Sequence, residues 1–174
     1  VDEVERLCTL AFGIDVVAIP LGSQQDQNFR LFPRDSDVPF GVLKLSNPVF
    51  SETEIRMQDE ATNAVAMVEP SLRVPRVLSG PRGALWAWWD SSQGRIHARV
   101  LENISGHTLT GSRYLPPAVI ERLGDLAGRV SAALGSFEHP ASSRTLQWDL
   151  RHARRVIDAL LPDEPDAEVR AAID

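Results

Sequence analysis

The segment FGVLKLSNPVFSETEIRMQDEATNAVAMVEP, residues 40–70, joins a strand pattern to a helix pattern and decides the fold class. It opens with a short apolar run that contains one lysine, Lys44, and such a run is typical of a buried strand. Ser51 and Glu54 have the S-x-x-E spacing of a capping box, so a helix is predicted to begin there and to end at Pro70. The predicted inner face of that helix consists of Met57, Ala61, Ala64, Val65 and Val68.

Shorter elements surround this strand–helix unit. Residues 2–12 predict a first helix that Gly13 ends, and residues 117–134 predict a longer one. Asp149 is a plausible N-cap for a last helix. Further strands are predicted at residues 16–21, 28–32, 74–78, 84–89 and 96–101. Hairpins arranged around one helix favour an α+β fold with an antiparallel sheet, followed by a helical end.

Composition restricts the class of protein. The chain has 174 residues, of which 43% are hydrophobic and 24% charged, as in globular domains. Its net charge of −6 argues against nucleic acid as a partner. A single cysteine, Cys8, excludes an internal disulfide and a cysteine-based zinc cluster. No apolar run is long enough to span a membrane, and the acidic N-terminus is unlike a secretion signal, so a cytoplasmic protein is expected.

The character of the chain changes after Leu101. Residues 103–116 are rich in Gly, Ser, Thr and Pro and show no periodicity, which favours a linker. We therefore expect a sheet-forming part over residues 1–102 and a helical part over residues 117–174. The chain starts at Val1 rather than Met and stops within a helix-like stretch, so we expect part of a longer protein, with the rest of that polypeptide as a partner.

Lys44 is the first residue that points to chemistry. An unpaired ammonium is costly to bury, so this lysine either reaches solvent or meets an anion. Glu60 borders the predicted inner face of the following helix. A strand lysine followed by a helix carboxylate is the arrangement of kinase-like folds, in which the carboxylate orients the lysine toward ATP phosphates. Alternatively, Glu60 is one of several surface acids on a solvated helix, together with Glu52, Glu54 and Asp59.

Two loops occupy positions that a kinase uses for nucleotide. Residues 22–27 lie between the first two predicted strands, where a phosphate-covering loop would be, and Ser23 is a candidate phosphate contact. Asn28 is expected to stabilise this loop. Residues 101–106, LENISG, lie where the last strand enters the linker and have the character of a kinase hinge.

Taken in their order along the chain, the sequence motifs around these residues resemble the N-terminal part of the aminoglycoside phosphotransferase-like (choline kinase-like) small-molecule kinases. They are most similar to the hydroxylysine kinase branch of that family. The resemblance covers nearly the whole chain and rests on the order of its motifs. The motifs are DQNFRL at 26–31, VLKL at 42–45, QDEATNAVA at 58–66, VPRVL at 74–78, RVLENISGHTL at 99–109, LGSFEHP at 134–140 and Leu146 to Leu150.

The resemblance implies a protein-kinase-like N-terminal lobe and ATP-dependent phosphorylation of a hydroxyl on a small, often amine-bearing substrate, with Mg²⁺ in the full-length protein. It implies phosphate contact by Lys44, orientation of that lysine by Glu60, and adenine contact by the backbone of Glu102 and Ile104. Ser23 remains a phosphate candidate.

The chain departs from the family pattern in its catalytic residues. A kinase of this kind needs an H-x-D-x-x-x-x-N-like loop and a later metal-binding aspartate. None of the four histidines, at positions 97, 107, 139 and 152, is followed two residues later by aspartate. We therefore expect no phosphoryl transfer by this chain alone. The alternatives are a non-catalytic binding or regulatory module of a larger protein, and an unrelated α+β domain in which Lys44 and Glu60 lie on the surface.

Overall fold

The computed structural model describes residues 1–91, 94–106, 108–109, 111, 114–146 and 148–173, and for residues 172 and 173 the backbone only. The described helices are α1 (Asp2–Leu7), α2 (Glu52–Val68), α3 (Pro117–Ala133), α4 (Ala153–Leu160) and α5 (Ala167–Ile173). A π-helical turn, Cys8–Phe12, follows α1, and short 3₁₀ turns occupy Pro140–Ser143, Leu150–His152 and Leu161–Asp163. The strands are β1 (Val16–Leu21), β2 (Gln27–Pro33), β3 (Gly41–Ser46), β4 (Val77–Leu78), β5 (Trp86–Ser91) and β6 (Gly94–Glu102).

The described strands form one antiparallel sheet of six strands. Strands β1, β2, β3 and β6 are neighbours in that order, and β6 is long enough to pair with both β4 and β5 along its other edge. The register places Lys44 between Asn28 on β2 and Arg99 on β6. Lys44 therefore lies near the middle of the sheet.

One face of the sheet is apolar. Alternate residues along β3 and β6, such as Leu43, Leu45, Ala98 and Val100, are buried there against α1 and the π-helical turn. Gly13 ends this turn in the left-handed conformation (φ 73°), which a glycine adopts without steric cost.

The other face is polar and lies under α2. Its buried side chains include Ser46, His97 and Arg99, and the buried residues of α2 are Ile55, Asp59 and Val65. The C-terminal half of α3 then packs beside α2, where Ala133 joins Val65 in a small apolar cluster. The sheet thus has one apolar face, which forms the core, and one face rich in charged groups.

The predicted α+β class and antiparallel sheet are confirmed, and most element bounds agree within one or two residues. The capping box is present: the side chain of Ser51 accepts from Glu54 N, and the Glu54 side chain accepts from Ser51 N. The predicted inner face of α2 is partly wrong, because Val68 is 62% exposed and Ile55 and Asp59 are buried instead. A pattern built only from apolar residues misses a helix that faces a polar sheet surface.

The chain divides into two compact units, Val1–His139 and Pro140–Asp174. The first contains the sheet and the first three α-helices. In the second, the side chain of Asp149 accepts from Arg151 N at 3.0 Å and caps the 3₁₀ turn that leads into α4. The boundaries expected at residues 102 and 117 stay predictions. Among the described residues, no helix combines the length and the apolar character needed to cross a bilayer.

Gly80 provides a test of the packing between the turn before β5 and the π-helical turn. A Cβ at this position would overlap the backbone carbonyl of Phe12, so the backbone itself would have to shift. We predict that Gly80→Ala lowers the free energy of unfolding by about 3 kcal/mol. The control is Gly124→Ala on α3, where a Cβ meets nothing within 4 Å, and which should stabilise by about 0.5–1 kcal/mol. Urea denaturation of both variants measures the difference, and equal stabilities would contradict this packing.

Candidate functional site

A cleft of about 320 Å³ lies on the polar face of the sheet, beside the segment that follows β6. This volume is at the lower end of the roughly 300–1,000 Å³ of small-molecule sites. The cleft is lined by Asn28, Arg30, Val42, Lys44, Pro75, Leu101, Glu102, Asn103 and Ile104. The strands contribute side chains at alternate positions, which explains why residues distant in sequence meet there.

Three of the five predicted site residues meet in this cleft, namely Lys44, Glu102 and Ile104. Ser23 is exposed in the loop between β1 and β2 and does not line the cleft. Glu60 does not line it either. Lys44 is also the only lysine of the chain, since the other 17 of its 18 basic residues are arginines.

The ammonium of Lys44 pairs with a carboxylate of the loop that precedes β2. Its Nζ lies 2.7 Å from Oδ2 of Asp26. The other oxygen, Oδ1, accepts from the backbone N–H of Asn47 at 3.0 Å, just after β3. The Asp26 side chain is 12% exposed and that of Lys44 is 25% exposed, so the pair is largely but not fully removed from water.

The structure does not bring Lys44 and Glu60 into the ion pair that the sequence leads us to expect. Glu60 projects from the exposed side of α2, with its Oε2 3.7 Å from Nε2 of His139. Its side chain is 56% exposed. The neighbouring residue on α2, Asp59, is the one that turns toward the sheet, and it is not a surface acid as the alternative interpretation assumed.

Asp59 forms a buried ion pair with Arg99 of β6. Its Oδ1 lies 2.9 Å from Nε of Arg99, and its Oδ2 accepts from Nε1 of Trp86 at 3.1 Å. Arg99 is 1% exposed, and its remaining donors reach Ser46 Oγ at 2.8 Å and Gln58 Oε1 at 2.9 Å. This network joins α2 to both β3 and β6.

Burial dominates the electrostatics of this pair. It raises the pKa of the Asp59 carboxyl, while the charge of Arg99 acts in the opposite direction. Burial likewise lowers the pKa of the Arg99 guanidinium, and the charges of Asp59 and Asp26 oppose that change. Removing either partner would leave the other charge buried without compensation.

A neutral histidine lies beside this network. His97 is 2% exposed, and its ring packs against Trp86 at 5.7 Å and against Trp88 at 5.2 Å between centroids. Burial, reinforced by the charge of Arg99, lowers the pKa of His97 to about 4. Because both rings contact His97, Trp86 and Trp88 share one face of β5, as the strand alternation predicts. Trp89 packs on the apolar face.

Backbone hydrogen bonds anchor the end of β6 and the first residue after it. Glu102 N donates to Arg76 O at 2.8 Å, and Asn103 N donates to Phe40 O at 3.0 Å. Ile104 is the first residue of this segment whose backbone N–H has no partner within the described part of the chain. Ile104 also lines the cleft. The N–H of Glu102 is already used.

The residues present fit a nucleotide better than they fit a metal ion. Oδ1 of Asn28, a residue of the cleft wall, is buried and has no hydrogen-bond partner among the described residues. Lys44 supplies a cation for phosphate. In contrast, no cluster of three or more His, Cys, Asp or Glu side chains suited to a metal occurs among the described residues.

Sequence reasoning missed Asp26, Asp59 and Arg99. One signal was available for Arg99: it alternates with the apolar residues of β6 as Lys44 does in β3, so it needed a buried partner. The identity of that partner depends on the rotation of α2 over the sheet, which the sequence pattern does not give. His107, one of the histidines considered above, lies outside the described residues.

Comparison with known proteins gives matches in structure only. No family model matches the chain, and no curated protein matches it. The structure of a microcompartment-associated aminopropanol kinase superposes with a TM-score of 0.64 and 14% identity, over 87% of this chain and 46% of that kinase. The structure of the amicoumacin kinase hAmiN, in complex with AMP-PNP, Ca²⁺ and Ami, superposes with a TM-score of 0.68 and 15% identity. This match covers 96% of this chain and 48% of that kinase.

The fold is that of small-molecule kinases. The resemblance to the aminoglycoside phosphotransferase-like kinases is thereby confirmed at the level of the fold. The chain spans about half the length of the two kinases that it matches.

The Asp59–Arg99 pair predicts a sharp contrast between two neighbouring acids on α2. Asp59→Ala leaves the guanidinium of Arg99 buried without its carboxylate, so we predict a loss of about 3–4 kcal/mol in the free energy of unfolding. Glu60→Ala removes an exposed acid and should change it by less than about 0.5 kcal/mol. Urea denaturation of both variants checks this, and similar losses would show that Asp59 is not buried against the sheet.

His97 predicts a loss of stability in acid. Its pKa is lowered to about 4 in the folded chain from the ordinary 6.5, so the unfolded state binds more protons between these values. Its contribution is therefore intact above pH 6.5 and falls by about 2 kcal/mol as the pH drops to 4, allowing for partial solvent screening. His97→Phe keeps the ring packing and removes the titration. The stability difference between wild type and this variant, measured at pH 7, 5.5 and 4, should change by that amount, and a constant difference would refute the assignment.

Proposed function

We propose that the chain is the N-terminal part of an ATP-dependent kinase that phosphorylates a hydroxyl of a small, often amine-bearing metabolite or aminoglycoside-like substrate. In this proposal the cleft on the polar face of the sheet holds ATP. Lys44 contacts the phosphates, and the backbone of Ile104 and the carbonyl of Glu102 read the adenine edge. The rest of the polypeptide supplies the catalytic base and the acceptor site.

The single observation that carries the proposal is the position of the only lysine. On a sheet with the fold of small-molecule kinases, Lys44 lines the same cleft as the segment that follows β6. A lysine ammonium and the backbone segment after β6, brought to one cleft, suit a ligand with a phosphate chain and a planar base. The complex of the matched amicoumacin kinase with AMP-PNP supports a nucleotide as that ligand.

The exposed side of α3 supports a longer functional protein. Ile120, Leu123 and Leu126 lie near one another on this helix and are 57%, 41% and 46% exposed. Large apolar side chains grouped in this way mark surfaces that another layer covers. The matched kinases are about twice as long as the chain, and further helices of the same polypeptide would provide this layer.

Within the part of the chain that the structure describes, no group of His, Cys, Asp or Glu side chains suits the divalent metal that accompanies ATP in such kinases. Because no candidate cluster occurs among the described residues, we assign no metal ligand and no metal-dependent step to the chain. In the proposed kinase, the Mg²⁺ ligands and the base belong to the part of the protein beyond this chain.

The nucleotide proposal predicts that Lys44→Ala weakens binding of AMP-PNP by about tenfold or more, because the cleft loses its phosphate-facing cation. Isothermal titration calorimetry of the chain measures this, with weak binding expected for the wild type. Glu60→Ala is the matched control: Glu60 lies outside the cleft and away from Lys44, so binding should be unchanged. Equal affinities of wild type and Lys44→Ala would reject the proposed role of the cleft.

A further inference from the structure

We propose that Asp26 is the residue that positions Lys44 for the phosphates, in place of a carboxylate on α2. The inference rests on the proposed nucleotide site and adds to it a residue of the loop between β1 and β2. It differs from the arrangement that the resemblance implies, in which the helix glutamate has this role.

The carboxylate of Asp26 is held at both oxygens. Oδ2 contacts Nζ of Lys44 at 2.7 Å, and Oδ1 accepts from Asn47 N at 3.0 Å. The loop is further attached by Nδ2 of Asn47, which donates to Gln25 O at 3.2 Å. A side chain fixed at two points and 12% exposed is a preorganised partner, not a chance surface contact.

The acids of α2 next to the site are already engaged elsewhere. Asp59 is neutralised by Arg99 at 2.9 Å and bonded by Trp86, and it reaches Lys44 only through longer-range electrostatics. Glu60 contacts His139 on the far side of the helix. The position of Lys44 is therefore set by the loop.

Asp26 remains in place when phosphate binds. An ammonium has three donors and the pair uses one of them, so Lys44 can keep Asp26 and still donate to phosphate oxygens. Displacing Asp26 would instead leave a largely buried carboxylate without its cation, which is costly. Holding the ammonium in the cleft before the ligand arrives reduces the entropy lost on binding.

The first test needs no nucleotide. Because Lys44 is the only lysine, an acylating reagent can modify the chain only there and at the N-terminal amine among its amines, and mass spectrometry separates the two. Asp26→Asn should raise the rate of Lys44 acylation about threefold, since the amine loses the carboxylate that restrains it. The control Asp37→Asn removes the same charge from an exposed turn and should leave the rate unchanged. Equal rates in all three proteins would overturn the pair itself.

The second test uses the sign of the change in nucleotide affinity. Simple charge repulsion predicts that removing Asp26 strengthens binding of a polyanion. Positioning predicts that Asp26→Asn weakens AMP-PNP binding, by about fivefold, and that this loss disappears in a Lys44→Ala background. Asp26→Glu, which keeps the carboxylate, should recover part of the affinity if the longer side chain still reaches Lys44.

The outcomes separate the two proposals. Tighter binding by Asp26→Asn, with Lys44→Ala weakened, would retain the nucleotide site and overturn the positioning role. Wild-type affinity in Lys44→Ala would overturn the nucleotide role of Lys44, and the positioning role with it, while the acylation rates would still report whether the ion pair exists. Weakened binding in both single variants, with no further loss in the double variant, supports positioning.

Discussion

The constraint on which the polar half of this structure depends is the burial of the Arg99 guanidinium. A cation that is 1% exposed needs an anion and further acceptors, and Asp59, Gln58 and Ser46 supply them. Two of these partners belong to α2, so the need to satisfy Arg99 sets the rotation of that helix over the sheet. The apolar face needs no such matching, because hydrophobic packing is not directional.

The pairing of Arg99 determines the surroundings of the cleft. Once Asp59 is committed to the guanidinium, the ammonium of Lys44 takes its carboxylate from the loop, at Asp26. The two cations and two anions are thereby matched on one face of the sheet. The loop between β1 and β2 is attached to β3 through this pair, and to Asn47, the residue after β3, through the hydrogen bond from Asn47 N to Asp26.

The comparison with solved kinases establishes the fold of this chain, whereas its chemistry has to be argued from individual residues. At 14–15% identity, the two kinases share with this chain the course of the backbone, and a fold by itself does not fix a substrate. The functional argument therefore comes from the cleft, which Lys44, the only lysine of the chain, lines together with Ile104 and Asn28.

The sequence by itself determined the order of the helices and strands and the antiparallel sheet, because periodicity, capping and strand alternation are local properties of the chain. The candidates Lys44, Glu102 and Ile104 came from the resemblance to small-molecule kinases, and the structure places all three at one cleft. Only the tertiary structure decided which acids face the two cations. Asp59 and Glu60 are adjacent in sequence and lie about 100° apart around a helix, so which of them faces the sheet depends on how α2 is rotated over it. Asp26 and Lys44 are brought together by the β2–β3 register, which is set by packing over the whole sheet.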